Sequence, residues 1–219
     1  MFMNGPPPDI LGQILWQIGF SICQQRPERS FFIDGYQLPM DARETGTFIG
    51  FLVLMIYGFL MKKYRCSKLP DKYIMFLAIS GFVIYAFDGA SSYLGLRDTT
   101  NEMRLISGLL MGSGVGFFIM PVISVVLLNL RTEIKSFTWK DLPFVYGLLA
   151  FVGLAVYYIR SGLVFYYLFA LLIIIGYLLW FFIMLNILVA LLTNKNYLNK
   201  KDSLILIITT IIVQIFVHT

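Results

Sequence analysis

The chain has 219 residues, of which 58% are hydrophobic and 13% are charged, and its mean hydropathy is +0.79. This is more apolar sequence than a soluble core can bury, so the composition excludes a soluble protein and indicates a multi-pass membrane protein. The net charge of +5 is interpreted as a membrane-topology signal with some attraction to membrane lipid, and no nucleic-acid partner is expected.

The apolar segments predict an all-α bundle of about seven transmembrane helices. A helical span needs about 20 apolar residues, and uninterrupted apolar runs favour helices over the alternating strands of a barrel. The first and last segments are short, so they are expected to be tilted, interfacial or re-entrant, and the count falls to six or five if they do not cross. No connection is long enough for a second core, so residues 1–219 are predicted to form a single transmembrane helical domain. The segments are 10–24, 46–61, 73–94, 103–130, 144–159, 163–192 and 203–217.

The connection between the first two segments, residues 23–46, carries seven charged side chains. The chain crosses the membrane twice between Glu44 and Asp88, so both residues are expected at one membrane face, where Arg104 at the start of the fourth segment joins them. The sequence therefore predicts a polar cluster at that face. Its candidate residues are Arg29, Asp41, Arg43, Glu44, Asp88, Asn101 and Arg104.

Asp88 lies inside the third apolar segment and therefore needs a positively charged partner. An ionised group costs about 2.5–3.5 kcal/mol at the centre of a bilayer and less near its surface. Arg43 and Arg104 are the candidate partners. Two interpretations stay open: Asp88 pins the third and fourth segments together through an arginine, or it is an acidic ligand or proton carrier in a cavity.

The fourth segment carries a row of glycines, which favours close approach of another helix. It also carries Pro121, which favours a kink or a freed carbonyl group. The glycines are Gly108, Gly112, Gly114 and Gly116.

The distribution of Lys and Arg predicts the orientation. Three of the connections on one side carry eleven of these residues, five in 62–72, three in 131–140 and three in 195–201, whereas the other side carries six. The more basic side is expected to be cytoplasmic. This places the N-terminus in the cytoplasm and the polar cluster at the outer face of the cell membrane.

Several short motifs together resemble the prokaryotic membrane family catalogued as domain of unknown function 2085, over roughly residues 15–115. The family pattern has Cys-His-Gln in its first block and Cys-Ala-Arg-Cys-Thr-Gly in its second, and such a set of three cysteines and one histidine suits tetrahedral zinc. The resemblance implies no activity. The matching residues are Cys23-x-Gln25-x-Pro27-x-Arg29-Ser30, Gly35, Pro39, Ala42-Arg43-x-Thr45-Gly46, Gly50, Asp88-Gly89, Thr100-Asn101-x-x-Arg104 and Gly108.

The chain departs from this pattern at three positions: Gln24 replaces the histidine, and Asp41 and Glu44 replace two cysteines. Oxygen ligands suit a hard divalent cation, so no zinc is expected, and any metal is assigned to Asp41 and Glu44. Three interpretations stay open: a structural ion network, a hard-metal site and a substrate site. In the first, Asp41 and Glu44 pair with Arg26, Arg29 or Arg43; the direct ion pair expected of Asp41 or Glu44 is with an arginine of residues 26–29 or with Arg104.

The sequence thus predicts a membrane protein whose outward-facing polar pocket handles a small anionic molecule, a lipid phosphate or an ion. The alternative is a non-catalytic scaffold or accessory subunit, in which the charged cluster is a structural ion network. No recognisable catalytic motif decides whether the protein is an enzyme, and no cofactor is required.

Overall fold

A computed structural model describes residues 5–193 of the chain, and this part is a bundle of six α-helices. The helices are α1 (Ile10–Phe20), α2 (Ala42–Leu60), α3 (Lys72–Tyr93), α4 (Asn101–Val122), α5 (Leu142–Tyr158) and α6 (Leu163–Thr193). A short hairpin of β1 (Phe32–Ile33) and β2 (Tyr36–Gln37) lies between α1 and α2. The helices α2 to α6 are each long and apolar enough to cross a membrane, α4 and α5 together with the short helical turns that extend them.

The predicted all-α bundle is confirmed, whereas a count of seven spans is not. Five of the predicted segments coincide with α2 to α6. The first segment forms only the 11-residue helix α1, which is shorter than a membrane span requires. The last segment, 203–217, lies outside the described residues.

Helices α2 and α4 form the centre of the bundle because glycines let their backbones meet. A Cβ atom on Gly108 would overlap the carbonyl oxygen of Arg43, and one on Gly112 would overlap the carbonyl oxygen of Thr47. The glycine row of the fourth segment is therefore a helix-packing surface. After Pro121 the helix widens into a π-helical turn, Ile123–Leu127, consistent with a proline that supplies no amide hydrogen to the helix.

The connection between α1 and α2 folds back onto the end of the bundle. Asp34 and Gly35 have φ values of 55° and 84°, the left-handed pair that a tight two-residue hairpin requires. The side chains of Ile33, Leu38 and Met40 are fully buried. The backbone amide of Asp34 donates to the oxygen of Arg160, before α6, and Asn101 donates to the oxygen of Ser30, so the connection is held against the start of α4 and the turn between α5 and α6.

Candidate functional site

Asp88 is the centre of an ion network at this end of the bundle. It is only 2% exposed. Arg43 of α2 donates to its Oδ2 atom from Nε at 3.1 Å and from Nη2 at 2.6 Å, and Ser107 of α4 donates to the same oxygen at 3.2 Å. Arg97, in the loop after α3, donates to Oδ1 at 2.8 Å. The Asp88 carboxylate of α3 therefore joins α3 to α2 and α4, and it pairs with two guanidinium groups.

Arg104 lies beside this network, but among residues 5–193 no carboxylate forms a salt bridge with it; Asp88 and Asp41 act on its charge only at a distance. The residue is 8% exposed, and its guanidinium donates a hydrogen bond to Oδ1 of Asn101 at 3.0 Å. Asn101 in turn donates to the backbone oxygen of Ser30 at 3.2 Å. The start of α4 is thereby tied to the folded connection, and Arg29 and Arg43 lie near enough to repel the charge of Arg104.

A second group of side chains lies where the connection enters α2. The Sγ atom of Cys23 and one carboxylate oxygen each from Asp41 and Glu44 lie within 4.8 Å of one another. We call these three residues the Cys23 trio. Burial, together with the nearby charges of Asp41 and Glu44, raises the pKa of the Cys23 thiol to about 12. Burial also raises the pKa of Asp41, because a charged group is poorly solvated there. The three atoms are close enough to bind a single metal ion.

Two buried amides hold this part of the connection in place. Gln25 donates to the backbone oxygens of Trp16 at 2.8 Å and Pro39 at 2.9 Å. Gln37 donates to the backbone oxygen of Gln25 and to the hydroxyl of Ser30. These bonds link the end of α1 to the start of α2, so the position of Cys23 relative to Asp41 is fixed by backbone contacts.

The structure corrects the predicted ion pairs. Among residues 5–193, neither Asp41 nor Glu44 pairs with an arginine; the pairs at this end of the bundle join Asp88 to Arg43 and Arg97. Asp41 accepts instead from the backbone amide of Arg26 at 3.0 Å and from a serine hydroxyl. The arginines prefer Asp88 because its carboxylate is more deeply buried and has the larger need for a counter-charge.

The remaining candidates are brought to the same end of the bundle. Asp88 faces charged partners as expected. Of the two arginines named as its candidate partners, Arg43 of α2 forms the ion pair and Arg104 of α4 does not. Arg29 ends a short 3₁₀ turn, Pro27–Arg29, and lies close enough to act electrostatically on Asp41 and Arg104. The predicted cluster therefore exists as a spatial group, although its internal pairing differs.

Two contributors were not among the residues selected from the sequence. Arg97 belongs to a loop of seven residues, 94–100, between α3 and α4, and the shortness of that loop was the available signal that its arginine stays near Asp88. Cys23 was quoted in the family pattern, but its proximity to Asp41 and Glu44 depends on the fold of the whole connection.

A separate buried network lies at the opposite end of the bundle. Asp141, before α5, accepts from the hydroxyl of Tyr57 at 2.5 Å and from Nζ of Lys63 at 2.8 Å. It also caps its own helix by accepting from the backbone amide of Thr138 at 2.7 Å. These contacts join the start of α5 to α2 and to the turn that follows α2, so we interpret the Asp141 network as a helix-packing element.

A cavity of about 520 Å³ opens between α4 and α5. Its lining is apolar apart from three tyrosines and Glu102. It is distinct from the Asp88 network and from the Cys23 trio, none of whose residues line it.

Comparison with known proteins identifies relatives of this chain. Residues 23–118 match the family described as predicted membrane protein, DUF2085. An uncharacterised protein of Methanocaldococcus jannaschii is 38% identical over 108 residues, which are 49% of this chain and 67% of the relative. An uncharacterised protein of Methanothermobacter thermautotrophicus is 32% identical over 95 residues, 43% of this chain and 80% of the relative. No solved structure matches significantly. The matched region contains the Cys23 trio and the whole Asp88 network, and the chain belongs to the DUF2085 family of membrane proteins.

Proposed function

We propose that this membrane protein binds a small phosphate-bearing molecule, either a lipid headgroup or a soluble phosphate compound, at the polar end of the bundle. The observation that carries the proposal is the environment of Arg104. Its guanidinium is largely buried, and within the described residues it has one hydrogen bond, to a neutral amide, and no ion pair. A buried cation without a direct ion pair is costly, and a bound phosphate would supply both a directly contacting negative charge and the missing acceptors.

The neighbouring charges favour an anion in the same place. Asp88 acts on Arg104 only at a distance, because both of its oxygens accept from Arg43 and Arg97 and neither accepts from Arg104. Two arginines on one carboxylate leave an excess positive charge, and Arg29 adds to it from the connection. Arginines from the connection, α2, the loop after α3 and α4 thus converge near the membrane surface, where phosphate groups of lipids are concentrated.

The alternative is a scaffold in which the charged residues are purely structural. The environment of Asp88 favours it, since this carboxylate already accepts four hydrogen bonds, from α2, α4 and the loop after α3, as a structural ion network requires. Under this alternative Arg104 also has a packing role only, and added phosphate compounds leave the protein unchanged.

Thermal unfolding in detergent distinguishes the two functions. Purified protein is heated with inorganic pyrophosphate, with phosphatidic acid in mixed micelles, or with a zwitterionic lipid as the control. Binding stabilises the folded state by about 2.7 kcal/mol when the ligand is at 100 times its Kd. We expect stabilisation by phosphatidic acid alone if the ligand is a lipid, and by pyrophosphate as well if it is soluble.

The stabilisation should disappear in Arg104→Gln. It should persist in Arg131→Gln, which removes an exposed arginine at the opposite end of the bundle. Equal stabilisation of both variants would show that phosphate binds elsewhere. No stabilisation of the native protein by either compound would support the scaffold.

A further inference from the structure

The Cys23 trio combines a thiol with two carboxylates from separate parts of the chain. Cys23 follows α1, whereas Asp41 is the N-cap residue of α2 and Glu44 lies in its first turn. Their Sγ and oxygen atoms converge within 4.8 Å, although 18 residues separate Cys23 from Asp41 in the sequence. Such convergence is not a property of a helix terminus alone, because the sulfur comes from another segment.

Within residues 5–193, neither carboxylate of this trio forms a salt bridge, although nearby arginines act on both carboxylates electrostatically. The side chain of Arg26 donates to Gln24, that of Arg43 pairs with Asp88, and that of Arg104 donates to Asn101. In the described part of the chain, no other residue donates a hydrogen bond to the carboxylate of Glu44. The carboxylates therefore lie beside a set of cations without pairing with any of them.

The sulfur atom is held in a position suited to a metal ligand. Cys23 is 6% exposed, and its Sγ accepts from the backbone amides of Gln25 at 3.4 Å and Asp41 at 3.2 Å. Amide hydrogens directed at sulfur stabilise negative charge on it. The buried amides of Gln25 and Gln37 fix the surrounding backbone, and metal ligands need such support from neighbouring groups.

We propose that Cys23, Asp41 and Glu44 bind one divalent ion of the first transition row. One sulfur and two carboxylate groups suit Mn²⁺, Fe²⁺, Co²⁺ or Zn²⁺ better than Mg²⁺ or Ca²⁺, which prefer oxygen ligands alone. Binding displaces the thiol proton of Cys23 to solvent, so the ion is held by a thiolate and two carboxylates. From the sequence, only Asp41 and Glu44 were candidate ligands, and two carboxylates favour a hard cation. The sulfur of Cys23 shifts the preference to a first-row transition metal.

Titration of metal-free, reduced protein with Co²⁺ alone tests this site, and it does not depend on phosphate binding. We expect one equivalent to produce a thiolate-to-cobalt charge-transfer band in the near ultraviolet, displaced by Zn²⁺ if zinc binds more tightly. The band should be lost in Cys23→Ser. It should persist in Cys66→Ser, because Cys66 lies at the opposite end of α2.

A second variant protects the test against misfolding of Cys23→Ser. Glu44 has no side-chain partner in the described residues, so Glu44→Gln should fold normally and weaken Co²⁺ binding at least about tenfold. Glu28→Gln, which changes an exposed carboxylate of the same connection, should bind as the native protein does. Absence of the band in native protein, or native affinity in Glu44→Gln, would overturn the assignment.

Discussion

Replacement of Asp88 by asparagine should be among the most destabilising isosteric changes in the protein. The substitution keeps the shape of the side chain but removes the charge that Arg43 and Arg97 share. Asp88 is 2% exposed, and removal of one member of a buried ion pair costs about 3–5 kcal/mol because the remaining charge is left uncompensated. We therefore expect about this loss for Asp88→Asn.

The two arginines should differ in their contributions. The side chain of Arg43 is 18% exposed and donates two hydrogen bonds to Asp88, so Arg43→Gln should cost about 1.5–3 kcal/mol, the range for hydrogen bonds to charged groups. The side chain of Arg97 is 35% exposed, and water screens its charge, so Arg97→Gln should cost about 0.2–1 kcal/mol. The less exposed Arg43 should therefore contribute more to stability than the more exposed Arg97.

Thermal unfolding in a mild detergent, followed by tryptophan fluorescence, measures these losses. For chains of this size 1 kcal/mol corresponds to about 2–4 °C in Tm, so Asp88→Asn should melt about 6–20 °C below the native protein. The Asp88→Asn, Arg43→Gln double variant should lose less than the sum of its single variants, with a coupling of about 0.5–3 kcal/mol. The exposed Asp98→Asn is the control, expected within about 0.5 kcal/mol of native. A native-like Tm for Asp88→Asn, or strict additivity in the double variant, would refute a shared buried network.

Two further predictions concern packing and placement. Gly112→Ala should lower the free energy of unfolding by about 1–3 kcal/mol, because the added Cβ atom would overlap the α2 backbone and force the helices apart. The control Gly147→Ala, where no atom lies within 4 Å of the added Cβ, should be neutral or slightly stabilising in the same thermal unfolding experiment. Equal losses in the two variants would contradict direct contact between α2 and α4. In a background where the partly exposed Cys66 is replaced, Glu28→Cys and Asp98→Cys should react with an impermeant maleimide from the same side of the membrane, and Lys140→Cys only from the other side. Reaction of the first two from opposite sides would contradict the arrangement of α2 and α3.

The sequence by itself determined the class of protein and most of its helices. Hydropathy is a local property that a short window of residues expresses, and a membrane span must satisfy its own backbone hydrogen bonds. Five predicted segments therefore agree with α2 to α6 within a few residues, when the π-helical turn is counted with α4. The small residues of the fourth segment likewise identified a packing face, since only glycine permits backbone contact. The two crossings between Glu44 and Asp88 were enough to place both at one end of the bundle.

The pairing inside the polar cluster was decided only by the tertiary structure. Six arginines are available on the predicted polar side, and the choice among them depends on helix rotation and side-chain direction, which hydropathy does not encode. Asp88 pairs with Arg43 because α2 and α3 both pack against α4, through Gly108 and Gly81, and it pairs with Arg97 because the short loop returns that residue to the end of α3. The position of Cys23 beside Asp41 and Glu44 depends on buried backbone and amide bonds across the whole connection. Contacts between residues far apart in the chain carry no local signal, so the ligand set of the Cys23 trio becomes visible only when the connection is folded.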